Sequence, residues 1–206
     1  MRGIDLDPSM LQTLAERLRQ EPEEVFDRVE FEHGDGRVLS LGERFPLVLA
    51  PFSLLCHLRT RDDLGRFLRV AREHLDDDGI FAFDLGIPDL ALLQGRVADS
   101  PRFRHPRTNE VCRSTERCTY DSVTQLMSVE LEITSIEQPE APETLSLTLR
   151  QIFPEEMMLL LDLAKLHVVH RTSRFVPWES DARPLELELD VERGDSIAYV
   201  CKERRS

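Results

Sequence analysis

Long apolar runs are missing from this chain: nothing in its 206 residues approaches the roughly 20 consecutive apolar residues that a membrane-spanning helix needs. Helical insertion into a membrane is therefore not expected. Basic residues are outnumbered, 26 Lys and Arg against 39 Asp and Glu, which gives a formal charge of -13. Nonspecific nucleic-acid binding depends on clustered Lys and Arg, so a phosphate backbone is not an expected partner. The four cysteines, Cys56, Cys112, Cys118 and Cys201, contain no CxxC pair. Zinc and redox sites of that pattern are excluded, no metal is expected, and reduced thiols follow. Met1 to Asp5 has no basic region leading into an apolar core, so nothing resembles a secretory signal and a cytoplasmic location is expected.

What is present reads as a globular protein, with 41% apolar and 32% charged residues. The length suits one ordinary domain, or one domain with a small appended lobe. Asp7-Pro8-Ser9-Met10 joins a capping side chain to a proline, and Met10, Leu11, Leu14 and Leu18 then recur at helical spacing. Arg2 to Asp5 reads as the end of a strand entering that helix. Val29 and Phe31 alternate with polar residues up to Gly34-Asp35-Gly36, which suggests a second strand, and Leu47 to Ala50 a third. Thr60 can cap a helix with Asp62 and Asp63 in its first turn and Leu64, Phe67, Leu68, Ala71 and Leu75 on its apolar face, ended by Gly79. Ile80 to Asp84 follows as a strand covered on both faces.

After Gly86 the pattern changes to strand-forming segments, Val111 to Tyr120, Gln125 to Ile136 and Thr144 to Ile152, separated by turn-rich stretches. An antiparallel insertion is expected there. Pro154 opens an apolar helix, Glu155 to Leu166, before strands at Val168 to Val176 and Ser196 to Lys202. Glu179 to Gly194 reads as a long connection, and Lys202 to Arg205 as a solvated tail. These elements divide the chain into an α/β half at 1–86, an antiparallel insertion at 87–153, and a C-terminal part at 154–206 that completes the sheet.

A carboxylate at the C-terminal tip of a strand in an open α/β sheet lies where such folds bind ligands, and it can accept both hydroxyls of a ribose. Asp5 is placed for that role, although capping chemistry alone would also explain the Ile4-Asp5-Leu6-Asp7 run. Asp35, in its Gly-Asp-Gly turn, could accept from an exocyclic amine, and a turn aspartate needs no ligand to account for it.

In these residues the chain resembles the class I S-adenosylmethionine-dependent methyltransferases. Gly3 to Leu11 (GIDLDPSML) is similar to the family's second-strand motif and Gly34-Asp35-Gly36 to its adenine-side turn. Phe45 to Leu58 (FPLVLAPFSLLCHL) resembles its fourth-strand segment, and Leu75 to Pro88 (LDDDGIFAFDLGIP) the segment that enters its fifth strand. A weaker likeness continues through Tyr120-Asp121 and Leu149-Arg150. The resemblance implies a Rossmann-like sheet with an antiparallel β insertion over the acceptor, and S-adenosylmethionine as cofactor. It implies that Asp5 binds the ribose, with Leu6 beside it in the cofactor site, that Met10 packs near the adenine, and that Asp35, between Gly34 and Gly36, meets the adenine amine. Ala50, Pro51 and Phe52 would line the methionine part. For Met10 and Phe52 the alternative is plain core packing. His57, after the fourth strand, and Tyr120 are candidates for a catalytic base, but a lone histidine beside an apolar run is more often structural.

Departures from the family pattern are equally specific. Its first strand and glycine-rich loop would precede Met1, Pro46 stands at its usual aspartate, Asp77 and Asp78 replace its proline and glycine, and Lys165-Leu166-His167 replaces its Ala-Gly-Phe. An upstream start, a fragment, or a degenerate member that closes its sheet differently would each account for the missing first strand. The expected activity is methyl transfer from S-adenosylmethionine to a small-molecule acceptor, by a chain truncated as given. The rival reading is a noncatalytic, methyltransferase-like interaction protein that has lost cofactor binding. A nicotinamide-dependent dehydrogenase would share the strand-tip carboxylate but fits the Gly-Asp-Gly turn and the Leu75 to Asp84 segment less well.

Overall fold

Asp7 begins the first helix, its carboxylate accepting the Ser9 N–H at 2.8 Å. In the computed structural model, which describes residues 1–105, 108–137, 139–173 and 196–204 and leaves aside the side chain of Leu92, this helix follows strand β1, Arg2–Asp5. Helix α1 spans Pro8–Leu18 and is followed by a single turn, α2, Glu23–Phe26. The chain returns as β2, Glu30–His33, parallel to β1 with Asp5 opposite His33.

Strand β3, Phe45–Ala50, leads through a 3-10 turn, Leu54–His57, to α3, Arg61–Glu73. Thr60 caps α3 by accepting the Asp63 N–H at 3.0 Å. The long strand β4, Leu75–Gly86, then runs parallel to β3. Phe81, Phe83 and Leu85 are buried on one of its faces, while Ile80, Ala82 and Asp84 are half-buried on the other.

Beyond β4 stand a short helix, α4, Leu90–Leu93, and strands β5, Arg96–Asp99, and β6, Phe103–Arg104. The longer strands β7, Val111–Asp121, β8, Leu126–Ser135, and β9, Glu143–Arg150, complete an antiparallel sheet of order β5-β7-β8-β9 with β6 on β7. The expected insertion is therefore present, with two extra short strands. Helix α5, Pro154–Leu163, precedes β10, Leu166–Thr172, and β11, Ser196–Glu203. These close a four-stranded sheet of order β10-β11-β4-β3, in which only β3 and β4 are parallel.

The core lies between this sheet and helices α3 and α5. Leu64 and Leu68 from α3 and Met157 and Leu161 from α5 are buried against it. Phe83 stacks on Phe81 at 5.1 Å and on Tyr199 at 4.9 Å between ring centroids. Each large apolar side chain so buried contributes about 1.5–3 kcal/mol relative to exposure.

Several expectations are corrected. The segments at Ile4, Val29, Leu47 and Ile80 do not share one mainly parallel sheet: β1 and β2 form a two-stranded sheet of their own. Among the described residues no strand lies between β1 and β3, so one edge of each carries no ladder. What joins them is Arg2, whose guanidinium reaches Glu32 and Glu43 at 3.1 Å each, Glu43 standing just ahead of β3. Leu75 belongs to β4 and not to α3, which ends at Glu73, six residues before Gly79. Gly79 serves close packing instead: a Cβ there would lie 2.9 Å from the Phe45 carbonyl oxygen. Helix α5 stops at Leu163, because Lys165 turns left-handed at φ 60° and Leu166 begins a buried strand. Lys202 lies in β11 and Arg204 pairs with Asp162 at 2.8 Å, so this stretch is not a free tail as far as residue 204. The connection at Glu179 to Gly194 and the end of the strand expected to reach Val176 lie outside the described residues.

Candidate active site

At the C-terminal edge of β1 the backbone turns sharply into α1. Asp5 Oδ1 accepts the Asp7 N–H at 2.8 Å, which fixes this turn. Oδ2 takes no hydrogen bond among the described residues. The neighbouring edge of β2 is stitched to the same place, with the Gly34 N–H donating to the Asp5 carbonyl at 3.0 Å and the His33 ring 3.0 Å from the Leu6 carbonyl oxygen. Asp7 is held below the usual carboxylate range by the backbone N–H of Ser9 that it caps.

The Gly-Asp-Gly turn is occupied by a partner from within the chain. Arg37 donates to Asp35 from its backbone N–H, its Nε and its Nη2, the last at 2.7 Å. A carboxylate offers about four lone-pair sites, and these bonds use them. Arg37 lowers the carboxyl pKa of Asp35, chiefly through the side-chain hydrogen bonds. From its far side Arg37 Nη1 donates to Asp63 Oδ1 at 2.9 Å, in the first turn of α3. Gly36 permits this approach, since a Cβ there would stand 2.8 Å from the Phe67 ring.

Strand β3 ends on buried Ala50, after which Pro51 is exposed and the backbone turns left-handed at two successive non-glycine residues, Phe52 at φ 61° and Ser53 at φ 52°. Each such residue costs on the order of 1 kcal/mol or more, and a bulky side chain there is a genuine outlier. The turn presents the Phe52 side chain to solvent at 91% relative exposure, and Met10 is exposed at 55%. Core packing therefore accounts for neither residue. Asp84, near the end of β4, holds the turn from below: its Oδ2 accepts the Ser53 N–H at 3.0 Å and the Ser53 Oγ–H at 3.3 Å.

Leu6 is exposed, Asp5, Gly34, Asp35 and Gly36 are half-buried, and all stand at the C-terminal edge of the β1–β2 pair. Ala50, Pro51 and Phe52 stand at the corresponding edge of β3. His57 is exposed at the end of the 3-10 turn and Tyr120 is half-buried near the end of β7, on the antiparallel lobe. Arg37, Ser53 and Asp84 were missed by sequence reasoning. An arginine two residues past a turn aspartate is a weak signal, and the Asp84 contact spans 31 residues. Among the described residues no group of three His, Cys, Asp or Glu side chains could hold a metal, and no helix is long and apolar enough to cross a membrane.

Residues 1–81, which carry both turns, match the family model of a methyltransferase domain. The chain has the class I methyltransferase fold. Among solved structures it is similar to the CcbJ methyltransferase from Streptomyces caelestis, with a TM-score of 0.77 and 21% identity over 99% of this chain and 74% of that one. An S-adenosylmethionine-dependent methyltransferase from Clostridium acetobutylicum gives 0.75 at 15% identity, covering 99% and 75%. CalS10, an amino pentose methyltransferase from Micromonospora echinaspora solved with the cofactor bound, gives 0.68 at 17% identity, covering 97% and 72%. No curated protein matches the chain in sequence. The match to the methyltransferase domain ends within β4, so the antiparallel lobe is related to these proteins by fold alone.

Proposed function

We propose that the chain acts as an S-adenosylmethionine-dependent methyltransferase on a small-molecule acceptor, with the cofactor along the C-terminal edges of β1, β2 and β3 and the lobe at 87–153 covering the acceptor. The observation that carries this reading is the solvent-facing Phe52 turn at the edge of β3, together with the free Oδ2 of Asp5 at the edge of β1. Both are features that folding alone does not demand. The Asp35–Arg37–Asp63 bridge supports the reading further, because it ties the edge of β2 to the helix that follows β3.

The residues present fit the cofactor in part. Asp5 has an acceptor oxygen to spare for the ribose, buried Ala50 leaves room beside the methionine chain, and Phe52 offers it an apolar wall. Leu6 and Met10 are exposed near the ribose and adenine positions. Asp35 is already saturated by Arg37, so in this account it fixes the Gly34–Gly36 turn and does not read the adenine amine.

When bound, the cofactor supplies a methyl carbon already activated by a sulfonium. The protein's task in such an in-line displacement is alignment and exclusion of water, and a base is needed only for an acceptor that starts protonated. His57 and Tyr120 are the groups to test for that step. Small-molecule acceptors are consistent with the amino pentose enzyme among the similar structures.

Among the described residues no backbone fills the parting between β1 and β3, so the chain as given binds the cofactor weakly in this account. It also favours the second reading, a noncatalytic interaction protein. Calorimetric titration with S-adenosylmethionine separates the two when repeated on a version carrying a parallel strand and a glycine turn fused ahead of Met1. Binding gained on extension supports the enzyme, and none in either form supports the noncatalytic protein.

A further inference from the structure

The left-handed backbone at Phe52 and Ser53 needs a reason to persist, and the contacts around it point to a single carboxylate. Asp84 lies on the half-buried face of β4, near its C-terminal end, and reaches across to the turn that leaves the parallel neighbour β3. Its Oδ2 takes both the backbone N–H and the hydroxyl of Ser53, at 3.0 and 3.3 Å. The same hydroxyl oxygen accepts the Gly86 N–H at 3.1 Å, at the point where β4 gives way to the chain that enters the antiparallel lobe. The Ser53 side chain is thus shared between the turn, the carboxylate and the exit of β4.

The charge matters as well as the geometry. A carboxylate is a stronger acceptor for a backbone N–H than a neutral oxygen, and it offsets the strain of holding Phe and Ser at these angles. Its burden is visible at Cys56, whose thiol is pushed up to about 11, first by burial and then by the nearby Asp84. No element of the fold needs Phe52 in this place: the ring is exposed and outside the core. The strain is therefore spent on presenting the ring rather than on packing it.

We propose that Asp84 is a positioning residue for the cofactor site, holding the Phe52–Ser53 turn left-handed so that the Phe52 ring stands at the cleft edge and coupling that turn, through the Ser53 hydroxyl and the Gly86 N–H, to the root of the lobe. The proposal rests on the methyltransferase reading above. Asp84 acts through Ser53 and Phe52 and has no step of its own in the transfer.

The test combines amide hydrogen exchange on the 206-residue chain with an NMR titration, using S-adenosylhomocysteine as the probe, of that chain and of its version extended ahead of Met1 by a parallel strand and a glycine turn. In Asp84→Ala the Ser53 and Gly86 amides are expected to exchange at least about tenfold faster while Leu68 in α3 keeps its protection. The probe's affinity is expected to fall about tenfold, the loss for one hydrogen bond to a charged acceptor. Asp84→Asn, which keeps an acceptor oxygen but not the charge, is expected to recover only part of both, and Ser53→Ala to lose part of both, which covers the case of Asp84→Ala failing to fold. Unchanged exchange in Asp84→Ala overturns the clamp. Faster exchange with unchanged affinity leaves the clamp merely structural and overturns the positioning role. No shift with the probe at millimolar concentration, in the wild-type chain and in its extended version alike, overturns the methyltransferase reading itself, and the role of Asp84 with it.

Discussion

Arg37 holds Asp35 with three of its own N–H groups and still donates to Asp63 at 2.9 Å, so one guanidinium fastens the turn after β2 to the first turn of α3. Its planar fork is what makes the double engagement work, and a lysine of the same charge has no such fork. Arg37→Lys is therefore expected to lower the melting temperature nearly as far as Arg37→Ala. Thermal melts of the two variants check this, and a lysine variant as stable as the wild type would show that charge alone suffices.

The same triad sets a direction for acid stability. Asp35 and Asp63 both sit below the ordinary carboxylate range, Asp35 through Arg37 and Asp63 first through the Thr60 hydroxyl and then through Arg37. A carboxylate depressed in the folded state binds its proton later than in the unfolded chain. Its contribution is fully present above the unfolded value near pH 4 and is lost as pH falls through the lower folded value. Urea midpoints measured from pH 6 down to pH 3 are expected to fall, and to fall less steeply in Arg37→Ala.

Buried thiols give the opposite window. Burial pushes Cys56 up to about 11 and Cys201 up to about 12. The unfolded chain releases these protons near pH 8.5 while the fold retains them, so stability is complete below that pH and declines as pH rises toward 11. Iodoacetamide at pH 8 is accordingly expected to label these two cysteines only after unfolding, as read by mass spectrometry with and without urea.

How much of this was legible beforehand varied with the range of the interactions. The Asp7 and Thr60 caps were readable because each joins residues two or three positions apart, and the antiparallel strands because each carries its own alternating pattern. Gly79 was misread as a helix stop because a Cβ there meets the backbone N of Asp76 and the carbonyl of Phe45, both at 2.9 Å, and the second contact is made only once β3 lies beside β4. Asp5 and Asp35 looked equivalent in sequence, two carboxylates at two strand ends. Only the fold distinguishes them, since Arg37 saturates one and leaves the other with an open oxygen. Phe52 could be read as core or as site, and the 91% exposure of its side chain decides against core.

Arg150 links the lobe to the rest of the chain. Its guanidinium is largely buried and donates to Glu156 in α5 at 2.9 Å, to the Gln125 side chain at 2.6 Å, and to the carbonyls of Thr124 and Arg59. Removing one partner of such a pair strands the other charge, at a cost of about 3 kcal/mol. Glu156→Ala is expected to destabilise by roughly that amount in urea unfolding monitored by circular dichroism. A loss under about 0.5 kcal/mol would mean that Gln125 and the carbonyls satisfy Arg150 by themselves.

The most direct test of the central claim is calorimetric titration with S-adenosylmethionine of the chain extended by a parallel strand and glycine turn, with and without Asp5→Ala. Asp5, at the tip of β1, keeps Oδ2 free for the ribose among the described residues, and losing a hydrogen bond to a charged acceptor costs roughly 1.5–3 kcal/mol. The account predicts measurable binding by the extended chain, weakened about ten- to a hundredfold by Asp5→Ala, and weak or no binding by the 206-residue chain. Equal affinity of the extended chain and its Asp5→Ala variant, or tight binding by the 206-residue chain alone, would contradict it.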